Sequence, residues 1–153
     1  MGGSLDDRMM SSLHLEIEPY QGIAGVQFGM TTEQVRAILG NPVEPLLKPA
    51  PGTATADFFE QLGIEVSYTP LGQCDVIDLA PPSNPTFQGH LLMGQPFVGL
   101  KDWFQTIDPA LAIDETGFTS HRYGIGIYAP FAATEPEEPV EGVILFRPDY
   151  YNS

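Results

Sequence analysis

The sequence predicts an α+β fold: two similar helix-plus-antiparallel-sheet units in tandem, building one curved sheet with the helices on one face. Three observations lead there. A short, fully punctuated helix at residues 31–40 is followed by two strand-like runs, and a second run with helical spacing, Leu100 to Ile107, is followed by two more. The third is composition, since 16 Gly and 15 Pro in 153 residues promise frequent turns and few long helices. At this length one domain with a shared core is the default. Residues 1–12 read as a flexible tail, and 13–153 as a single domain of two units, about 13–82 and 83–153.

Each element has its own signal. In "LHLEIEP", Leu13, Leu15 and Ile17 alternate with polar neighbours, the pattern of a short half-buried first strand. In "FGMTTEQVRAILGNP", Thr31 can cap a helix while Gln34 reaches back to it, and Met30 can pack on Val35 as a hydrophobic staple. Val35, Ile38 and Leu39 then line one face, Gly40 stands where a left-handed cap is wanted, and Asn41-Pro42 forbids continuation, which limits the helix to two or three turns. The three prolines of residues 43–56 mark a connection. After it, "DFFEQLGIEVSYTP" and "CDVIDLAPP" read as a hairpin turning at Leu71-Gly72, with Ile64, Val66 and Tyr68 on one face. Residues 57–62 fit a strand or a helical turn equally well.

From Phe87 the order repeats. "LKDWFQTIDP" sets Leu100, Trp103, Phe104 and Ile107 at helical spacing, and "YGIGIYAP" and "EGVILFRP" follow as strands. Laid beside the first half, the second matches it in element type and order, with few identities.

The run Gly29-Met30-Thr31, Gln34-Val35, Leu39-Gly40 and Pro42 resembles the G-M-T-x-x-Q-V-x-x-x-L-G-x-P signature of the small outer-membrane lipoproteins of the β-barrel assembly machinery. The tandem pattern resembles the β-lactamase inhibitor protein fold, which many bacterial immunity proteins, each neutralising a cognate toxin, also look like. The resemblance implies helices packed on one curved sheet and a function in protein recognition. The signature itself is structural, because a capped start, an apolar stripe and a glycine stop explain every residue in it; Met30, Thr31 and Gln34 are not site residues. The chain departs from the lipoprotein pattern in having no lipidation cysteine near its start and in continuing with a second unit.

Charge narrows the function. Twenty acidic against six basic side chains give a formal net charge of −14, which repels phosphate backbones and anionic membrane surfaces and steers the chain toward a basic protein partner. Such a charge also serves solubility alone. Cys74, the single cysteine, reads as a half-buried structural thiol and permits no internal disulfide. No run is apolar enough for a signal peptide or a membrane span, so a cytosolic protein is expected, although the opening "MGGS" leaves room for a replaced leader. His14, His90 and His121 lack the spacing of a zinc site, Asp75 with Asp78 and Asp114 with Glu115 lack that of a calcium loop, and "GIGIY" reads as strand; Asp114-Glu115 sits in a loop-like run. No cofactor, no metal and no enzymatic activity are expected.

The candidate partner-binding residues are Glu135, Glu137, Glu138 and Glu141 in the proline-stiffened "ATEPEEPVEG", with Asp149, Tyr150 and Tyr151 at the C-terminus. Concentrated carboxylates pair with Lys and Arg, prolines reduce the freedom lost on docking, and tyrosines make interface anchors. The glutamates fit a solvated loop as well, and the tyrosines fit packing under the sheet. The expected function is that of a cytosolic immunity protein that occludes a basic cognate toxin through an acidic surface. A structural adaptor of the outer-membrane lipoprotein type and a small-ligand protein or enzyme are the alternatives.

Overall fold

In the computed structural model the described residues are 15–43 and 55–152. The predicted tail at 1–12, Leu13, His14 and residues 44–54 of the connection lie outside them. The described chain is mixed α and β, with two helices and a large antiparallel sheet. It opens with a ribbon of β1 (Gly22–Ile23) and β2 (Val26–Gln27), then α1 (Thr32–Leu39). The strands β3 (Ala56–Phe59), β4 (Ile64–Tyr68) and β5 (Cys74–Leu79) follow. A second ribbon, β6 (Thr86–Phe87) with β7 (His90–Leu91), leads to α2 (Phe97–Ile107). Last come β8 (Ala112–Asp114), β9 (Gly117–Ser120), β10 (Ile125–Tyr128), β11 (Gly142–Phe146) and a 3-10 turn at Tyr150–Asn152. The seven-stranded sheet has the order β3-β4-β5-β11-β10-β9-β8, so β5 and the last strand, β11, pair near its centre.

The start of α1 is capped as its sequence dictates. Thr31 Oγ1 accepts from the Gln34 N–H at 3.2 Å and Gln34 Oε1 accepts from the Thr31 N–H at 2.9 Å, a reciprocal capping box. Gly40, at φ 99°, donates its N–H to the Arg36 carbonyl and ends the helix. Pro96 at the head of α2 has no side-chain acceptor to offer, and the Phe97 and Val98 N–H groups are satisfied by the carbonyls of Glu138 and Pro136, at 3.0 and 2.8 Å.

The register separates the sheet into two faces. Phe59, Ile64, Leu79 and Val143 share one row of the covered face, and Val66, Ile77, Leu145 and Ile125 share the next; all are buried. Leu100 and Phe104 of α2 are buried in the same core, and Phe104 meets Phe118 of β9 at a ring distance of 4.9 Å. Val35 of α1 is buried in it too. Two polar anchors hold the helices there. Asp57, buried on β3, receives Arg36 of α1 through Nε at 2.9 Å and Nη2 at 2.7 Å and the Tyr68 hydroxyl at 2.9 Å. Asp108, at the end of α2, accepts from Ser120 Oγ at 2.7 Å and from the Ala110 N–H at 3.1 Å. Both buried carboxylates are thereby compensated.

Several expectations need correction. The first strand shrinks to isolated bridges, Glu16 to Thr86 and Glu18 to Gly22, although Ile17 is buried: a buried alternating pattern does not require a ladder. Residues 57–59 are strand, and their periodicity was illegible because Asp57 points inward and Phe58 outward. The helix of the second half begins at Phe97, three residues before its apolar stripe, because backbone carbonyls of a distant loop cap it. Asp114-Glu115 is not loop throughout: Asp114 ends β8 and its carboxylate accepts the Thr116 N–H at 2.8 Å, tightening a hairpin into β9. Cys74 is fully rather than half buried.

Candidate recognition surface

The acidic loop is built onto the head of α2. Val140 N–H donates to Gln95 O at 2.8 Å and Gly94 N–H to Val140 O at 3.0 Å, and with the two capping bonds these clamp residues 136–140 across the helix start. Glu135, Glu137, Glu138 and Glu141 are all exposed. Negative side chains near a helix N-terminus are electrostatically favourable, so the loop's composition already has a reason within the fold.

The C-terminal residues of the predicted site lie elsewhere. Glu141 precedes β11 and Asp149 follows it, and five extended residues separate their ends by about 17 Å. Phe146 faces away from the helices, opposite Val76, yet is only 3% exposed. Tyr20, Tyr150, Tyr151 and His121 cover it, with ring distances of 6.0, 6.0, 4.9 and 6.2 Å. Asp149 makes this possible by adopting φ 62°, which reverses the chain after β11 and lays the 3-10 turn back over the sheet. Together with Arg147 and Asp149 these rings line a cleft of about 290 Å³. Arg147 forms an ion pair through Nε with Asp75 and lies 5.7 Å from the Tyr150 ring centre. The Tyr20 hydroxyl donates to the His121 carbonyl, and its pKa is raised by burial first and by Asp149 and Asp108 after that.

The cleft continues into a slot of about 140 Å³ on the open face of the sheet, lined by Asp114, Thr119, Gly126, Tyr128, Ile144 and Tyr151 among others; Phe146 and Tyr151 belong to both. One cross-strand row runs along this face from Ala112 through Thr119, Gly126, Ile144, Asp78 and Glu65 to Phe58. Phe58 and Tyr128 are each 44% exposed and Ile144 is 37% exposed. Asp78 and Glu65 stand directly opposite, with Cβ atoms about 5 Å apart by sheet geometry. Burial and, after it, the Glu65 charge raise the Asp78 pKa.

The predicted site residues therefore form two patches rather than one. Tyr20, His121, Tyr128, Ile144, Asp78 and Glu65 are not among the partner-binding residues that the sequence predicts. One signal was available: "VILF" in β11 is apolar at four successive positions, so both faces of that antiparallel strand carry apolar side chains. His90 stacks on Trp103 at a ring distance of 3.9 Å, and His14 lies outside the described residues. Among the described residues no helix is long and apolar enough to cross a membrane. Compared with known proteins, the chain matches no protein-family model, no curated protein and no solved structure.

Proposed function

We propose that this protein is a cytosolic immunity protein, which binds a basic toxin domain and occludes its active or target-binding surface. The observation that carries the reading is the open sheet face: exposed Phe58, Tyr128 and Ile144 stand beside carboxylates on a chain of net charge −14. Apolar anchors inside an acidic field are what slow release and fast capture of a cationic protein require. The Tyr150–Tyr151 cleft extends that surface, and the glutamate loop contributes long-range attraction from the far end of β11. We also read the halves as tandem units, about 13–82 and 83–153, each contributing a helix and a set of antiparallel strands; the central β5–β11 pairing supports this. The resemblance of the tandem pattern to the β-lactamase inhibitor protein fold and to immunity proteins points the same way.

The test is co-expression with the toxin encoded beside its own gene. Growth should be arrested by the toxin alone and restored when this protein is present, and the affinity of the purified pair should fall steeply with added salt. Growth arrest that persists at equal expression sinks the immunity reading. Binding indifferent to salt and to charge reversal at Glu135, Glu137, Glu138 and Glu141 sinks acidic capture.

A further inference from the structure

Two features of the open face cost the fold something and sit in the same cross-strand row. Directly opposed like charges destabilise a sheet, and Asp78 and Glu65 are so opposed, with neither paired to a cation among the described residues. Glycine inside a strand also weakens it. Gly126 lies two strands from Asp78, and its backbone does not need to be glycine: its φ lies outside the left-handed range, and the nearest atoms to an added Cβ would be Ile144 Cβ at 3.7 Å and two carbonyl oxygens at 3.9 Å, ordinary contacts. The comparison with its neighbours is instructive. At Gly117, φ is 149° and a Cβ would come within 1.8 Å of the Ile127 carbonyl oxygen, so glycine is obligatory there. At Gly142 the Tyr128 ring packs across the bare backbone, its Cδ2 lying 3.7 Å from the position a Cβ would take. Only Gly126 of the three lacks a reason within the fold, and it forms the floor of the slot between Tyr128, Ile144 and Tyr151.

We infer that this slot receives an arginine side chain of the partner, with its backbone passing over Gly126, its aliphatic stem on Ile144 and Tyr128, and its guanidinium reaching the Asp78–Glu65 pair. The inference rests on the protein-recognition reading and names the chemistry of its central contact. Each costly feature then has a use. A missing side chain lets another backbone approach closely. Two carboxylates a strand apart, which repel each other in the free protein, match the planar fork of donors that a guanidinium presents. The tyrosine wall adds a stacking surface that suits arginine.

The full-length protein, labelled with nitrogen-15, is titrated with a capped peptide of alternating arginine and valine, and in parallel with the same peptide carrying citrulline, which keeps the shape and removes the charge. The expected result is amide shifts at Thr119, Gly126, Tyr128 and Ile144 with the arginine peptide, and no saturable shifts with citrulline. Affinity should fall about tenfold in Gly126→Ala, whose melting temperature should not be lowered, and by a similar factor in the double variant Glu65→Gln, Asp78→Asn. The assignment is overturned by any of four outcomes: no shifts at millimolar peptide, shifts confined to residues 135–141, equal binding of the citrulline peptide, or undiminished affinity in Gly126→Ala. Sedimentation of the free protein adds a further arm, because a dimer that Gly126→Ala splits would place a second copy of this chain in the slot instead. Loss of the slot would leave the growth-rescue result standing, so the two readings fail separately.

Discussion

The covered and open faces of the sheet are built from the same strands and differ in what their side chains are for. On the covered face polar groups are compensated: Asp57 has Arg36 and Tyr68, and Asp108 has Ser120. On the open face Asp78 confronts Glu65, Gly126 leaves a gap, and Phe58, Tyr128 and Ile144 stand exposed. One face satisfies the rules of folding and the other breaks them, with all of these residues but Tyr128 in a single row. A residue that breaks a local rule without a return inside the fold is a candidate for a role outside it.

Four experiments test that contrast, and the first should give the largest effect. Burial, followed by the neighbouring Asp75 charge, pushes the Cys74 thiol up to about 12 from its ordinary 9.0, so at pH 8 its thiolate population falls roughly a thousandfold. A chromogenic disulfide reagent should therefore label Cys74 only as fast as the protein opens, whereas a cysteine placed on the open face by Thr119→Cys should react without opening. Equal labelling rates would mean that the two faces are equally accessible.

Truncation should show the same asymmetry in stability. Phe104→Ala removes a fully buried ring packed on Phe87 and Phe118 and should cost about 3–5 kcal/mol in urea unfolding, while Ile144→Ala should cost under about 1 kcal/mol. A comparable loss at both positions would show that the open face is covered in solution. Asp57→Ala should come next, at about 2–3 kcal/mol, because it removes the carboxylate that Arg36 and the buried Tyr68 hydroxyl both engage; the figure lies below that of a wholly buried pair because the Arg36 side chain is 48% exposed.

The smallest effect has the opposite sign. Asp78 has a folded pKa above its unfolded value of about 3.9. The native state therefore holds a proton more tightly than the unfolded chain, and stability falls as pH rises from about 3.9 through the raised native value. Asp78→Asn should remove that slope and raise stability at pH 7 by about 0.2–1 kcal/mol. If the variant is less stable at pH 7, the carboxylate has a partner in the fold and does not mark a binding surface.

How much of this was legible in the chain can be judged residue by residue. Local chemistry was readable: Thr31, Gln34 and Gly40 bound α1 because a cap depends on atoms within a few positions of one another. Alternation placed Ile64, Val66 and Tyr68 on one buried face, and the turn at Leu71-Gly72 between β4 and β5 followed from glycine. The β8–β9 hairpin was missed because its strands are short and its turn is made by an aspartate carboxylate rather than by an Asn-Gly pair. The candidate site was half legible. The glutamates and tyrosines are exposed as a binding role requires, but the chain order hid that β11 holds them apart.

What the sequence by itself determined is what short-range physics governs, the caps, the turns and the apolar alternation of the strands, together with the excess of acidic over basic side chains. What only the tertiary structure decided is which residues become neighbours across strands. Glu65 and Asp78 are 13 positions apart in the chain, and Ile144 and Gly126 are 18 apart, yet all four occupy one row. Register alone makes that row, because pairing is set by the summed burial of whole strands on the covered face, and the open face inherits whatever alignment results.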